Sequence, residues 1–556
     1  MPRRKEVRPE LSEADIAFVK GLVVDYEARR TPLLEVMHRV QDRRGFLPEP
    51  LLREFSYHAR LPLYAIQSFI SFYSNFHTTP DRPVEVGVCE SLTCHMKGAK
   101  ALHRLADEIA REFPGKVVVR GFSCLGQCDG APACILNRAA VLRAPDARVL
   151  RGAIDSTIES EPSTIAISWQ DLVAYRREGG YATLEEARRR NDPAWVIGKL
   201  KESGLRGMGG AGFGAGSKWD FVAKATGSPK YVVVNADEGE PGTFKDRQVM
   251  ERTPHAILEG VLIACATLGA ADAYVYVRHE YPHAKQVLLA AIEELSVEGI
   301  LGPARIHVVT GAGAYICGEE TALLESMEGK RGEPRLKPPF PAQFGLWGKP
   351  TLINNVETFA YVAQALRGQY PGVRMYSLSG DVERPGVYTL PLKTTARELI
   401  ETHGGTPASK VKAFFPGGVS ATPLPATLLD VPLDFDSLAQ AGSMGGSGAV
   451  IVVGSHRCIL DVVENTTVFF AHESCGKCTP CRVGTEKMLG MLRRMRAGQS
   501  VKSDLDLMSE LSTAMDQGSI CGLGQAAPNP VLAALRTWRE EMAAHVSGRC
   551  PAGVCR

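Results

Sequence analysis

Two hydrophobic periods alternate along the chain. Over residues 1 to 80 apolar positions recur every three or four residues. LSEADIAFVKGLVVDYEARR, TPLLEVMHRVQDRRGFLP and PLYAIQSFISFYSNF each gather them on one side, which predicts helices. Past residue 81 the period shortens. RPVEVGVCES reads as a strand entering a loop, KGAKALHRLADEIAREFPG as a helix closed by Pro-Gly, and KVVVRGFSCLGQCDGAPACILN with AAVLRA as strands around a cysteine-bearing turn. This order predicts a small α/β domain over 81–158.

The stretch ESEPSTIAIS, 159 to 168, reads as a linker to a larger α/β domain over 170–372. There the strands YVVVN, AYVYVR and RIHVVT alternate with helical segments, which predicts a mostly parallel sheet. Residues 373–456 hold short β-like pieces (VYTL, KAFFPGG, AVIVVG) among many Gly and Pro, hence a small β-rich domain. Over 457–556 helical patterning returns in TEKMLGMLRRMRAG, DLDLMSELSTAM and PVLAALRTWREEMAAH, hence a helical bundle; HRCILDVV at its start reads as strand-like.

Composition narrows the function. The 556 residues are 44% hydrophobic with a net charge of +2, which argues for neither nucleic acid nor an anionic membrane surface as partner. No apolar run is long enough to span a bilayer, and the charged start MPRRKEVRPELSEADI lacks a secretion signal's apolar core, so the expected location is cytoplasmic. Fourteen cysteines are many for such a chain; with no sign of secretion, clustered ones point to metal or redox centres rather than disulfides.

Cys89 and Cys94 are spaced C-x4-C, and Cys124 and Cys128 C-x3-C, each pair in an expected loop after a strand. Four thiolates from two neighbouring loops can hold two irons bridged by sulfides. Structural zinc, which favours tighter C-x2-C pairs, and buried free thiols are the alternatives. The run ESCGKCTPCRVG places Cys475, Cys478 and Cys481 on one tight loop, which suits one face of a 4Fe-4S cubane. Cys521, in SICGLGQ between two expected helices, is the best fourth ligand; Cys458 and the pair Cys550 and Cys555 are rivals. Otherwise Cys550 and Cys555 read as free thiols on a frayed tail, or as a partial ligand set completed by a partner. Cys134, Cys265 and Cys317 read as packing.

GLRGMGGAGFGAGSKW contains a formal G-x-G-x-x-G at Gly207, Gly209 and Gly212, but a helix precedes it, unlike the usual dinucleotide loop. Its glycines still let backbone N–H groups approach a phosphate or flat ring, and Arg206 and Lys218 add positive charge. Asp237, Glu238 and Glu240 follow one strand, and Glu319 and Glu320 follow another. Open α/β sheets bind ligands at such strand ends, where these acids can accept hydrogen bonds from ribose or amide groups. A solvated acidic turn is the bland reading of either cluster alone; together with the Gly-rich loop they favour a nucleotide-type cofactor.

In this order, LRGMGGAGF, NADEGEPGTFKDR, GAYICGEETALLES, PTLINNVET and ESCGKCTPCRVG closely resemble the flavin-bearing NADH-binding subunit of NADH:quinone oxidoreductases. The likeness covers about 180 to 545. The first 155 residues resemble that enzyme's separate thioredoxin-like 2Fe-2S subunit, so two chains look fused here. The resemblance implies a multidomain α/β protein: N-terminal helices over 1–80 with a thioredoxin-like 2Fe-2S domain, a Rossmann-like FMN/NADH domain, a ubiquitin-like SLBB domain and a helical 4Fe-4S domain. It places Arg206, Gly207, Gly209, Lys218, Asn235, Asp237, Glu238, Gly318, Glu319, Asn354 and Asn355 around FMN, with Gly210, Gly212 and Tyr315 as further cofactor-binding residues. Phe213, Phe221, Glu240 and Glu320 would line the NAD(H) site; no protein acid is needed, and Glu240, Glu320 and Phe213 would position the hydride transfer. Cys521 matches the fourth cubane ligand. Met208, Gly214 and Ala215 depart from the family's GRGGAGFPTG loop and leave its glycine core intact.

Such modules serve complex I, NAD-reducing hydrogenase and NAD-dependent formate dehydrogenase. Fusion together with all four N-terminal cysteines most resembles the β (diaphorase) subunit of the last. That implies a large molybdenum or tungsten α subunit with further iron–sulfur clusters as partner, and formate oxidation by NAD+ as the overall reaction. A hydrogenase or complex I host, and a non-enzymatic iron–sulfur scaffold, are the other readings.

Overall fold

The computed structural model describes residues 11–28, 31–79, 84–137, 140–159 and 168–555; nearly all of the expected linker lies outside them. The larger α/β unit is built on four parallel strands, β5 (Tyr231–Ala236), β6 (Asp272–Val277), β7 (Arg305–Thr310) and β8 (Thr351–Asn355), ordered β7-β6-β5-β8. The apolar run YVVVNA is buried on both faces, as a central parallel strand requires. Tyr231 and Val233 join one core, Val232 and Val234 the other.

The first of these cores is shared by the N-terminal helices Glu13–Glu27, Leu33–Arg44, Glu49–His58 and Leu63–Ile70 and the C-terminal bundle, so the N-terminal helices pack with this side of the sheet. Tyr73 donates to Ser326 Oγ at 2.8 Å, and His38 Nε2 lies 2.9 Å from the Gly311 carbonyl. The second core packs the helices Ala215–Lys224 and Pro254–Leu268 on the opposite face, with Trp219 fully buried.

In sequence terms this sheet runs third, second, first, fourth. Strand order therefore reverses between β5 and β8, and the crevice outside their carboxyl ends is where an open α/β sheet binds ligands. The strand β8 went unread in the sequence because TLINN is short and merges into the following helix, Val356–Ala360.

The preceding small domain has the sheet order β2-β1-β3-β4, with β1 (Val84–Cys89), β2 (Val117–Phe122), β3 (Ala133–Leu136) and β4 (Ala140–Arg143). Helices Ala99–Ala110 and Ala147–Ile158 bury Leu102, Ile109, Leu150 and Ile154 against it. The β-rich domain has five strands ordered β10-β9-β13-β11-β12: β9 (Val373–Gly380), β10 (Gly386–Pro391), β11 (Val411–Phe415), β12 (Leu424–Pro425) and β13 (Ala449–Gly454).

The C-terminal bundle consists of Ile459–Glu473, Thr479–Arg496, Ser503–Gly518, Asn529–Thr537 and Arg539–Val546. HRCILDVV is not a strand: Cys458 is extended and caps the helix that opens at Ile459. Its apolar positions face the bundle on a helical period, which a short β-branched run conceals.

Candidate functional site

A cavity of about 410 Å³ opens at the strand-order reversal. Its walls come from four directions: Gly209 and Gly210 of the Gly-rich loop, Asn235 to Glu240 after β5, Tyr315 to Glu319 after β7, and Asn355 at the end of β8. Of the sequence-predicted residues, Gly209, Gly210, Asn235, Asp237, Glu238, Glu240, Tyr315, Gly318, Glu319 and Asn355 line it.

The other predicted residues stand outside this lining. Arg206 donates from Nε to the Gly212 carbonyl at 2.6 Å and lies over the Phe435 ring at 4.5 Å. Gly207 donates its N–H to the Phe213 carbonyl at 2.8 Å, closing the Gly-rich loop. Asn354 is buried and accepts from Trp219 Nε1 at 3.2 Å. Phe213 and Phe221 form an exposed pair, rings 6.3 Å apart. Lys218 and Lys337 reach Glu320 at 3.0 Å each, outweighing burial and holding its carboxyl below the ordinary range.

The acidic residues divide by partner. Both Glu238 oxygens accept backbone N–H groups, from Asp246 at 2.8 Å and Arg247 at 3.0 Å, so this carboxylate caps the helix Lys245–Arg252. Burial, with Asp246 beside it, still pushes Glu238 up to about 8. Glu319 caps the helix Glu320–Met327 through Thr321 and Ala322, and Asn355 caps Val356–Ala360 through Glu357. Three of the expected ligand contacts are thus helix caps that aim positive helix ends at one crevice.

Two acids keep capacity for a ligand. Glu240 accepts from the Ser420 N–H at 2.7 Å, from Ser420 Oγ at 2.8 Å and from the Tyr315 hydroxyl. Burial raises its carboxyl, and these donors oppose the rise. Gly418 makes room for it: φ is +89°, and a Cβ there would stand 2.4 Å from Glu240 Cγ. Asp237 lines the cavity, and its Oδ2 is out of solvent and has no hydrogen-bond partner. Burial pushes Asp237 up to about 8, against the nearby Arg278 and with Glu280 and Glu473. A buried acceptor without a donor costs free energy unless a bound group supplies one. Glycine walls, converging helix ends and this unpaired oxygen fit a phosphorylated flat ring such as a flavin mononucleotide.

Sequence reasoning missed one side of the cavity. Gly417, Ser420, Met444, Gly446 and Ser447 reach over it from the β-rich domain, and Gly522, Leu523 and Ala526 from the bundle. Thr243, Lys245 and Asp246 also line it and lay inside the quoted NADEGEPGTFKDR motif. The β-domain loops carry only Gly, Ser and Met, so no charged pattern marked them.

Gly522 and Leu523 directly follow Cys521, so the cysteine loop forms the cavity wall. The backbone N–H groups of Leu523 and Gly524 point at the Cys521 thiol, which faces Cys475. Cys481 is buried in the core cluster against which Cys475, Cys478 and Cys521 pack, and all three lie near enough to bear on its thiol. The three-cysteine run is only partly a loop: Cys478 is the N-cap, and Cys481 sits in the first turn, of Thr479–Arg496. A Cβ on Gly524 would come within 2.8 Å of Cys481 Cβ, so this backbone passes close to the sulfurs. Cys458 lies instead against His545 and Cys555.

In the small α/β domain, Cys124 faces both Cys89 and Cys128, and Cys94 approaches Cys89. Cys89 ends β1 and Cys94 sits in the short helix Leu92–Met96, so that pair also departs from a plain loop. Arg278, fully buried, donates to the carbonyls of Cys124 and of Glu238, the latter at 2.6 Å. Each group of four thiols is available to an iron–sulfur cluster. Cys134, Cys265 and Cys317 are buried in cores.

The fold and site define an iron–sulfur flavoprotein. Residues 200–364 match the family described as the Nuo51 FMN-binding domain, 461–545 the NADH-ubiquinone oxidoreductase-F iron-sulfur binding region, 19–152 the thioredoxin-like [2Fe-2S] ferredoxin and 375–420 the SLBB domain. An F-type subunit of NADH-quinone oxidoreductase from Rhizobium meliloti is 48% identical over 402 residues, 68% of this chain and 96% of that protein. Its counterpart from Streptomyces coelicolor is 44% identical over 405 residues, 69% and 90% respectively. The chain belongs to this family of F-type NADH-quinone oxidoreductase subunits, carrying FMN, 4Fe-4S and 2Fe-2S domains. Among solved structures, a chain of an NAD+-reducing [NiFe]-hydrogenase superposes with a TM-score of 0.83 at 30% identity, over 94% of each chain. Among the described residues no helix is long and apolar enough to cross a membrane.

Proposed function

We propose that this chain exchanges electrons between NAD(H) and a catalytic partner subunit through FMN and two iron–sulfur clusters. One observation carries the reading: the cavity lined by Asp237 is walled by the Cys521 loop, and the Cys124 loop is tied by Arg278 to the carbonyl of Glu238, another lining residue. Bound FMN would trade a hydride with the nicotinamide and pass electrons on singly, since an iron–sulfur cluster takes one at a time.

The protein's own residues bind and orient. Gly209, Gly210, Asn235, Asp237, Gly318 and Asn355 hold the flavin, with Asp237 Oδ2 accepting from a ring or ribose donor. Glu240, fixed by Ser420 and Tyr315, together with Phe213, Phe221 and Glu320, positions the nicotinamide nucleotide. Met444, Leu523 and Ala526 give the cavity apolar wall that limits water. Cys89, Cys94, Cys124 and Cys128 hold the 2Fe-2S cluster; Cys475, Cys478, Cys481 and Cys521 hold the 4Fe-4S cluster. The purified chain should contain FMN and reduce an artificial dye with NADH; absence of both overturns the reading.

For the partner, the complete four-cysteine set in a fused chain supports a molybdenum or tungsten formate dehydrogenase α subunit. A hydrogenase partner is the second reading, supported by the co-extensive likeness to the NAD+-reducing [NiFe]-hydrogenase chain. Metal analysis of the copurifying large subunit separates them: molybdenum or tungsten supports the first, nickel the second.

A further inference from the structure

Cys458, His545, Cys550 and Cys555 belong to neither cluster set, and their ligand atoms all lie within 4.8 Å of one another. Cys458 Sγ stands 3.3 Å from His545 Nε2 and 3.4 Å from Cys555 Sγ. We propose that these four side chains bind one zinc ion, a Cys3His structural site that fastens the C-terminal segment to the bundle.

The spacing suits a single ion. A tetrahedral zinc centre with bonds of about 2.0–2.3 Å places its ligand atoms about 3.5–3.8 Å apart. An iron–sulfur cubane holds each thiolate on a different iron and needs them wider apart.

The histidine is oriented for the task. Its Nδ1 lies 2.7 Å from the Glu541 carbonyl, which fixes the proton on that nitrogen and leaves the Nε2 lone pair facing the sulfurs. Zinc-ligating histidines characteristically hold their second nitrogen this way. The Glu541 carboxylate in turn accepts the Ile459 N–H at 2.8 Å and binds Lys412 Nζ at 3.1 Å, so one residue locks both the helix after Cys458 and the histidine.

The fold around the tail needs such a fastening. After the helix Arg539–Val546 the chain has no regular element, and Arg549, Pro551, Gly553 and Val554 are exposed. An irregular segment with few apolar anchors frays unless it is tied down. Yet Cys550 and Cys555 turn back on Cys458, helped by Gly553 at φ +70°. The expectation of free thiols on a frayed tail therefore gives way to a closed four-ligand group.

The test uses the full chain with its flavin and clusters. Metal analysis should return about one zinc per chain besides the cluster iron. Cys550→Ser with Cys555→Ser should remove that zinc and lower the first thermal transition, while iron content, flavin and NADH–dye turnover stay at wild-type level. Growth on cobalt should give the visible bands of a tetrahedral cobalt thiolate, lost in the variant. Wild-type protein without zinc, or a Cys458–Cys555 disulfide in non-reduced peptide maps, overturns the proposal. So does loss of iron rather than zinc from the variant. Because the zinc count is read on unaltered protein, a variant that fails to fold does not decide the matter.

Discussion

Glu473 accepts the Tyr315 backbone N–H at 2.9 Å with one carboxylate oxygen and the Ser123 hydroxyl with the other. Ser123 adjoins Cys124, Tyr315 lines the flavin-type cavity, and the three-cysteine run begins two residues after Glu473. One carboxylate thus joins the three cofactor loops. Replacing it by alanine strands two donors, which costs about 1–3 kcal/mol for each buried group left unpaired. We expect Glu473→Ala to lower the denaturant midpoint of the first unfolding transition and Glu473→Gln to lower it less. Equal midpoints for wild type and Glu473→Ala would show that the joint adds nothing to stability.

Asp237 makes the flavin-free protein pH-sensitive. Its folded carboxyl, pushed up to about 8 by burial, keeps a proton that the unfolded chain releases near 3.8. Its contribution to stability is therefore complete below pH about 4 and is lost as pH rises toward about 8. Asp237→Asn should narrow the stability difference between pH 5 and pH 8 without abolishing it, because Glu238, also near 8, keeps its own slope. In the holoprotein the same change should weaken flavin retention by about tenfold, one lost hydrogen bond being worth roughly 1.4 kcal/mol. Denaturation at the two pH values and flavin release by gel filtration read these effects; an unchanged pH dependence contradicts the assignment.

Lys245 is wholly buried, with Asp246 at 2.7 Å and Glu357 at 2.9 Å. Burial opposes its charge, but these acids and Glu238 outweigh burial and raise its pKa. Lys245→Met leaves buried carboxylates without a counter-charge, a loss of about 3–5 kcal/mol. Adding Glu357→Gln should recover part of it. Strictly additive losses in chemical denaturation would show that the pair is not coupled.

Cys521→Ser separates the flavin from its proposed outlet. About four irons should be lost with the cubane. Dye reduction by NADH should persist at half of wild type or better, while electron transfer to the physiological partner should fall at least 100-fold. Retention of all iron in the variant would return the fourth-ligand question to the other cysteines.

Much of this was legible in the sequence where chemistry imposes spacing. Cys475, Cys478 and Cys481 announce themselves because one cluster needs several sulfurs on a short arc, and the acids after β5 and β7 because ligands bind at strand ends. What stayed hidden has physical reasons. Glu238, Glu319 and Asn355 line the cavity as their sequence positions suggest, but only three-dimensional pairing reveals that they also cap helices. Gly417, Ser420 and Ser447 offer mainly backbone and hydroxyl groups, which leave no distinctive pattern. Cys458 and Cys555 are 97 positions apart, so no local spacing could pair them. The N-terminal helices announced their own amphipathic faces, but not that those faces would pack with one side of the flavin-type sheet.

In the proposed function, electrons from NADH enter at the cavity and leave through the Cys475, Cys478, Cys481 and Cys521 group, with the N-terminal cysteine group as a side store. Anaerobic titration of the holoprotein with NADH, followed by optical and low-temperature EPR spectra, is the decisive measurement. The flavin band should bleach, with the signal of a reduced 4Fe-4S or 2Fe-2S cluster appearing within the same titration. A flavin that NADH does not bleach, or clusters that dithionite reduces while bleached flavin leaves them oxidised at every NADH level, would refute this route.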